Sequence, residues 1–206
     1  MKKLVSLVLA IALCAVCTGC TKQDSVKISR GTVENGIYRN ESMGITVEAG
    51  DGWEFFSDEE MAQIYGASGD EFLTDDAADA LQNASIIYDM YCVRDGASIN
   101  VNFENAGVLA VAVADEKAYL ELSAENLKTQ LDESSGMSIS KSELGEIETK
   151  SGTAPCLFVT LSLAGQGTDI YEVMVAKKQG SFFGVVAISA LAESDLADIA
   201  KTVSLK

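Results

Sequence analysis

The sequence contains no histidine. Imidazole is the base of Ser-His-Asp and Cys-His sites and the commonest metal ligand, so those catalytic classes and imidazole-held zinc or iron are excluded. Basic residues are scarce as well: 15 Lys and Arg stand against 31 Asp and Glu, for a net charge of −16. Nucleic acids and anionic headgroups are held through Lys and Arg, so neither is an expected partner. Cysteine is scarcer than its count of 5 suggests, because Cys14, Cys17 and Cys20 crowd the N-terminus and leave only Cys92 and Cys156. Two cysteines outside CxxC spacing do not make a thiolate metal site. No catalytic residue, metal or cofactor is expected.

What is present begins with an address. Lys2 and Lys3 precede an apolar run from Leu4 to Val16, broken only by Ser6. The run is shorter than the ~20 residues that span a hydrocarbon core, and it stands where a secretory h-region stands. Thr18-Gly19-Cys20 follows, and the chain then turns polar at Thr21-Lys22-Gln23-Asp24. Small residues before a cysteine at this place resemble the lipobox read by lipoprotein signal peptidase, with Cys17 where that pattern usually has Leu. Cys14 and Cys17 fit worse as acceptors, since Leu13 and Val16 precede them. The resemblance implies a bacterial precursor cleaved after Gly19 and acylated on Cys20. The mature protein would then sit on the extracytoplasmic face of the cell membrane, with the lipid bilayer as its partner. Two or three acyl chains, at ~0.8 kcal/mol per buried CH2, attach durably where one would not. Ordinary secretion with cleavage near Gly19 is the competing reading. Loss of residues 1–19 removes Lys2 and Lys3 and takes the net charge from −16 to −18.

Residues 20–36 are polar and read as the lipidated cysteine and a flexible tether. Residues 37–206 show no repeat and no break in composition, and read as a single domain. Short extended pieces at 36–40, 44–47 and 52–55 are separated by turn residues. Ser57 and Glu60 form a capping box, with Phe56 and Met61 as its staple, and a second short helix follows Thr74 through Leu81. In the strand from Ser85 to Arg94, alternation puts Ile86, Tyr88, Met90 and Cys92 on one face. Ile99, Val101 and Phe103 then alternate with Asn100, Asn102 and Glu104 in a half-buried strand. Asp115 caps a helix to about Asp132, with Leu120, Ala124, Leu127 and Leu131 on one stripe. Four strands follow over 138–148, 156–164, 169–177 and 182–189. A final helix from Ser194 carries Leu196, Ile199, Ala200 and Val203 on one face. Blocks of strands and helices joined by hairpins give an α+β fold with a largely antiparallel sheet flanked by helices.

The opening phrase, Tyr38-x-Asn40, Gly44-Ile45-x-Val47 and Gly52-Trp53 before a helix, resembles the start of PsbP-like domains. The later order of strand pair, helix, strand meander and C-terminal helix is similar too. The resemblance implies a binding or assembly factor and carries over no active-site residue.

Three constellations invite a functional reading. Tyr38, Trp53, Phe55 and Tyr65 are candidates to line a carbohydrate or peptide groove, although such aromatics more often belong to the core. Asp70, Glu71, Asp75, Asp76 and Asp79 cluster without the spacing of an EF-hand. Gly165-x-Gly167 joins two strands with no helix after it, and reads as a hairpin turn rather than a phosphate cradle. The function expected is a membrane-anchored, non-enzymatic module for an unknown envelope protein or ligand. The alternative is a hydrolase acting on glycans through paired carboxylates. Cys92 and Cys156 are expected to be two free, buried thiols. The alternative is one structural disulfide, which needs their strands to be neighbours, and the helix between them in sequence allows that without favouring it.

Overall fold

The computed structural model describes residues 28–65, 86–105, 113–131, 137–163 and 167–206, without the side chains of Tyr65 and residues 128–131. The expected short helix after Thr74, the acidic cluster from Asp70 to Asp79 and the turn at Gly165-Gln166 lie outside these residues.

The chain is folded earlier than its polarity suggests. Ile28 is buried, and β1 (Thr32–Glu34) pairs antiparallel with β2 (Ile37–Asn40). The link is Asn35-Gly36, with φ of 52° and 72°. A two-residue turn with positive φ at both positions matches strand twist, and Asn and Gly tolerate that conformation best. The tether expected over 20–36 is therefore corrected: from Ile28 onward the segment belongs to the domain.

β3 (Ile45–Glu48) pairs with β2, and β11 (Val203–Leu205) pairs with β3, completing a four-stranded sheet in the order β1-β2-β3-β11. Val203 was expected on the last helix. That helix, α3 (Glu193–Ala200), stops before it. Thr202 and Val203 are β-branched and favour extended backbone, and Val203 lies opposite Val47.

The second sheet has seven strands: β4 (Glu54–Phe55), β5 (Ile86–Arg94), β6 (Ala97–Asn105), β7 (Met137–Thr149), β8 (Gly152–Leu163), β9 (Asp169–Gln179) and β10 (Phe182–Ala190). Their order is β4-β5-β6-β10-β9-β8-β7, antiparallel at every pairing. The expected α+β class with a largely antiparallel sheet is borne out.

Each face of this sheet has its own core, as the period of two along a strand requires. On β10, Phe182, Val186 and Ile188 face the small sheet and α3, while Phe183, Val185 and Ala187 face α2 (Glu116–Leu131). Asp115 caps α2 by accepting from the Ala118 amide at 2.9 Å. The helix lies across β7, β8 and β9 and buries Leu120 and Leu127, each contributing about 2 kcal/mol. Helix α1 (Asp58–Tyr65) opens with the capping box: the Ser57 amide donates to Glu60 at 2.8 Å, and the Glu60 amide donates back to Ser57 Oγ at 3.4 Å.

Candidate functional site

The site is created by an irregularity in β5. Pairing with β6 runs regularly from Ile86 to Tyr88, skips Asp89, and resumes at Met90. One extra residue on a strand reverses the facing of every residue beyond it. Ile87, Met90 and Cys92 therefore share the small-sheet core. Ile86 and Tyr88 before the bulge, and Tyr91 and Val93 after it, pair with Glu104, Asn102, Asn100 and Ser98. The face expected to hold Ile86, Tyr88, Met90 and Cys92 together is corrected accordingly.

Asp89 itself turns toward the small sheet. It accepts from the Tyr38 hydroxyl, the Gly31 amide at 2.8 Å, Asn40 Nδ2 at 3.2 Å and Arg30 Nε at 3.2 Å. Arg30 also grips Asp58 through both terminal nitrogens, at 2.9 and 2.8 Å. This buried network ties the first described residues to both β5 and α1.

On the opposite face lies a polar strip. Ser98, Asn100, Asn102 and Glu104 alternate along β6 with Ile99, Val101 and Phe103, yet both sets are buried. The expectation of a half-buried strand is corrected, since the polar edge is enclosed too. Across β10 and β9 the strip continues through Ser189, which lies opposite both Ser98 and Glu172. Ser189 Oγ donates to Glu172 at 2.9 Å. From α2 come Tyr119 and Ser123, both buried. Tyr119 stacks on Phe183, the residue opposite Glu104, at 4.4 Å.

Hydrogen bonding in this strip is incomplete. Asn102 Nδ2 reaches Glu104 at 3.3 Å. The Tyr119 hydroxyl faces Glu104 and Ser123 but meets neither in hydrogen-bond geometry, and Ser98 Oγ also lacks a partner. Burial pushes Glu104 up to about 7, against the pull of Tyr119 and Asn102. Glu172 is pushed up to about 7 by burial, against its bond from Ser189. Buried polar groups are normally satisfied, because each unmet one costs about 1–3 kcal/mol. The Ser98 and Tyr119 hydroxyls are therefore spare hydrogen-bonding groups on this face of the sheet.

The two buried acids do not form a catalytic pair. Glu104 and Glu172 are offset by six residues along antiparallel strands, about 20 Å, and by two strand spacings, about 10 Å. Glycoside hydrolysis needs carboxyls about 5–10 Å apart. Among the described residues, no three His, Cys, Asp or Glu side chains are grouped to hold a metal ion.

The aromatics singled out from sequence stand elsewhere. Tyr38 is fully buried with its hydroxyl on Asp89, and Trp53 is buried under the Arg94 guanidinium, 4.8 Å from the ring centre. Phe55 packs half-buried against the same core. Pairing of Phe55 with Cys92 holds β4 there, and Tyr38 and Trp53 lie in the core, where such aromatics more often belong. The side chain of Tyr65 and the lipidation candidate Cys20 lie outside the described residues. Sequence reasoning missed Asn100, Asn102, Glu104, Tyr119, Glu172 and Ser189 as site residues. One available signal was Asp89, an acid inside an otherwise apolar strand.

No known protein family and no curated protein matches this chain.

Proposed function

We propose that this chain is a lipoprotein held to the extracytoplasmic face of the cell membrane through Cys20, and that its domain is a non-enzymatic binding or envelope-assembly module of PsbP-like arrangement. The polar strip across β6, β10 and β9 is the observation that carries the binding reading, because it sets unmet hydrogen-bonding groups beside two buried carboxyls. The wide separation of Glu104 and Glu172 counts against the glycan hydrolase at this face. The anchor reading rests on the lipobox-like Thr18-Gly19-Cys20. Ile28, the first of the described residues and buried, is eight positions beyond Cys20, so the chain between them reaches under about 30 Å. The domain would then work close to the bilayer.

Two experiments test this. Cys20→Ala should abolish palmitate incorporation and release the protein from the membrane fraction; continued labelling would move the acceptor to Cys14 or Cys17. The full chain, screened against envelope extracts and a small-molecule panel, should recover a saturable ligand. Turnover of a glycan substrate, with no such ligand, would reverse the reading in favour of an enzyme.

A further inference from the structure

Among the described residues, neither carboxyl group of the polar strip, Glu104 or Glu172, is in an ion pair. Glu104 responds to burial, Tyr119 and Asn102; Glu172 responds to burial and Ser189. The residues flanking the strip are Ile86, Tyr88, Tyr91 and Val93 on β5, and Phe183, Val185 and Ala187 on β10. None is basic. Lys178 lies opposite Phe183 on β9, but its ammonium donates to the carbonyls of Val113 and Ala114 at 2.6 and 3.0 Å. Glu116, also at that end, accepts from the Lys178 amide at 3.0 Å.

Resting on the binding reading above, we propose that the strip from Glu104 through Asn102, Asn100 and Ser98 to Glu172 is a site for a linear polyamine, an aliphatic chain with protonated amines at both ends.

Each part of such a ligand has a counterpart. An ammonium offers three donors and no acceptor, so it needs an acceptor-rich place. One end has the Glu104 carboxyl, the Asn102 amide oxygen and the unpartnered Tyr119 hydroxyl; the other has Glu172, Ser189 and the unpartnered Ser98 hydroxyl. Between them lie Asn100, the rings of Tyr88 and Tyr91, and the small side chain of Ala187. Aromatic rings attract ammonium groups. Six residues along β6 separate Ser98 from Glu104, about 20 Å, which suits an extended ligand rather than a compact one. An anion would meet two acids and, among the described residues that flank the strip on β5 and β10, no basic side chain. A neutral oligosaccharide could use the amides and hydroxyls but would leave both carboxyls unmatched.

An ammonium favours the ionised carboxylate, so binding releases the protons that burial holds on Glu104 and Glu172. Affinity should therefore rise by at least about tenfold from pH 5.5 to pH 8.

The test is calorimetric titration of the full-length protein in detergent with spermine and spermidine, with butylamine and a neutral chitooligosaccharide as comparisons. Saturable spermine binding at pH 7.5, weakened tenfold or more by Glu104→Gln and by Glu172→Gln, is the expected result. Butylamine should bind at least tenfold more weakly. Asn102→Ala, which leaves both acids in place, should weaken binding as well, and circular dichroism at pH 5 checks that each variant is folded. Spermine binding that ignores both glutamine variants would be adsorption to the acidic surface, and overturns the proposal. Binding of the oligosaccharide but not of spermine overturns the polyamine and leaves the binding module standing. If the envelope extracts also yield no ligand, both readings fall.

Discussion

Tyr38 on the small sheet donates its hydroxyl to Asp89 at 2.5 Å, and Asp89 is the residue that β6 skips. One carboxylate thereby joins the two sheets and fixes the bulge that turns Tyr91 toward the polar strip. Bulges bend and re-aim a strand, and this one is pinned by four donors.

Asp89→Ala should therefore be among the costliest single changes in the protein. It leaves Arg30 without one partner and orphans the Tyr38 hydroxyl and the Gly31 amide. Urea unfolding should show a loss of about 3–5 kcal/mol, the cost of breaking a buried ion pair. Tyr38→Phe removes one donor of four and should cost about 1–3 kcal/mol. Equal losses for the two variants would mean that Asp89 does not organise the network.

Stability should depend on pH through Glu104 and Glu172. Both are raised from the usual 4.5 to about 7. Between those values the folded chain keeps protons that the unfolded chain has released. Their contribution is full below about pH 4.5, falls as pH rises to about 7, and then levels off. Glu104→Gln and Glu172→Gln abolish ionisation, so each should raise stability at pH 8 by about 1–3 kcal/mol and change little at pH 5. Thermal melts at the two pH values check this; destabilisation at pH 8 would show that the carboxylates are accommodated.

Gly44 and Gly50 separate backbone strain from crowding. Both have positive φ, 67° and 79°, but a side chain on Gly44 would come 2.4 Å from the Lys206 carbonyl oxygen, while Gly50 has open space. Gly50→Ala should cost about 1 kcal/mol, the penalty of left-handed backbone. Gly44→Ala should cost at least about twice that, because it also disturbs the bond from the Lys206 amide to the Gly44 carbonyl. Guanidinium unfolding of the two variants gives the comparison, and equal losses would refute the clash.

Cys92 and Cys156 are free and buried, and burial pushes both thiols up to about 12. Their strands are four places apart in the sheet, about 19 Å, far beyond the span of a disulfide. Alkylation of the native protein should be slow, and after unfolding without reductant both cysteines should be labelled. A mass two daltons lower that resists labelling would contradict the strand order.

Local chemistry determined much of this fold. The Ser57–Glu60 box, the Asp115 cap and the four long strands after Met137 are each encoded within a few neighbouring residues, so they could be read directly. Asn35-Gly36 was equally readable as a hairpin turn, but the polarity around it concealed that residues 28–34 are folded. The site is different in kind. Its polar strip takes side chains from β6, β9, β10 and α2, which are distant in sequence, and its outline depends on a single skipped residue in β5. Asn100, Asn102 and Glu104 look solvent-facing in a strand read alone, because alternation separates two faces without saying what covers either. Burial, and with it the upward shift of Glu104 and Glu172, exists only once the sheet is assembled and water has been removed from both sides.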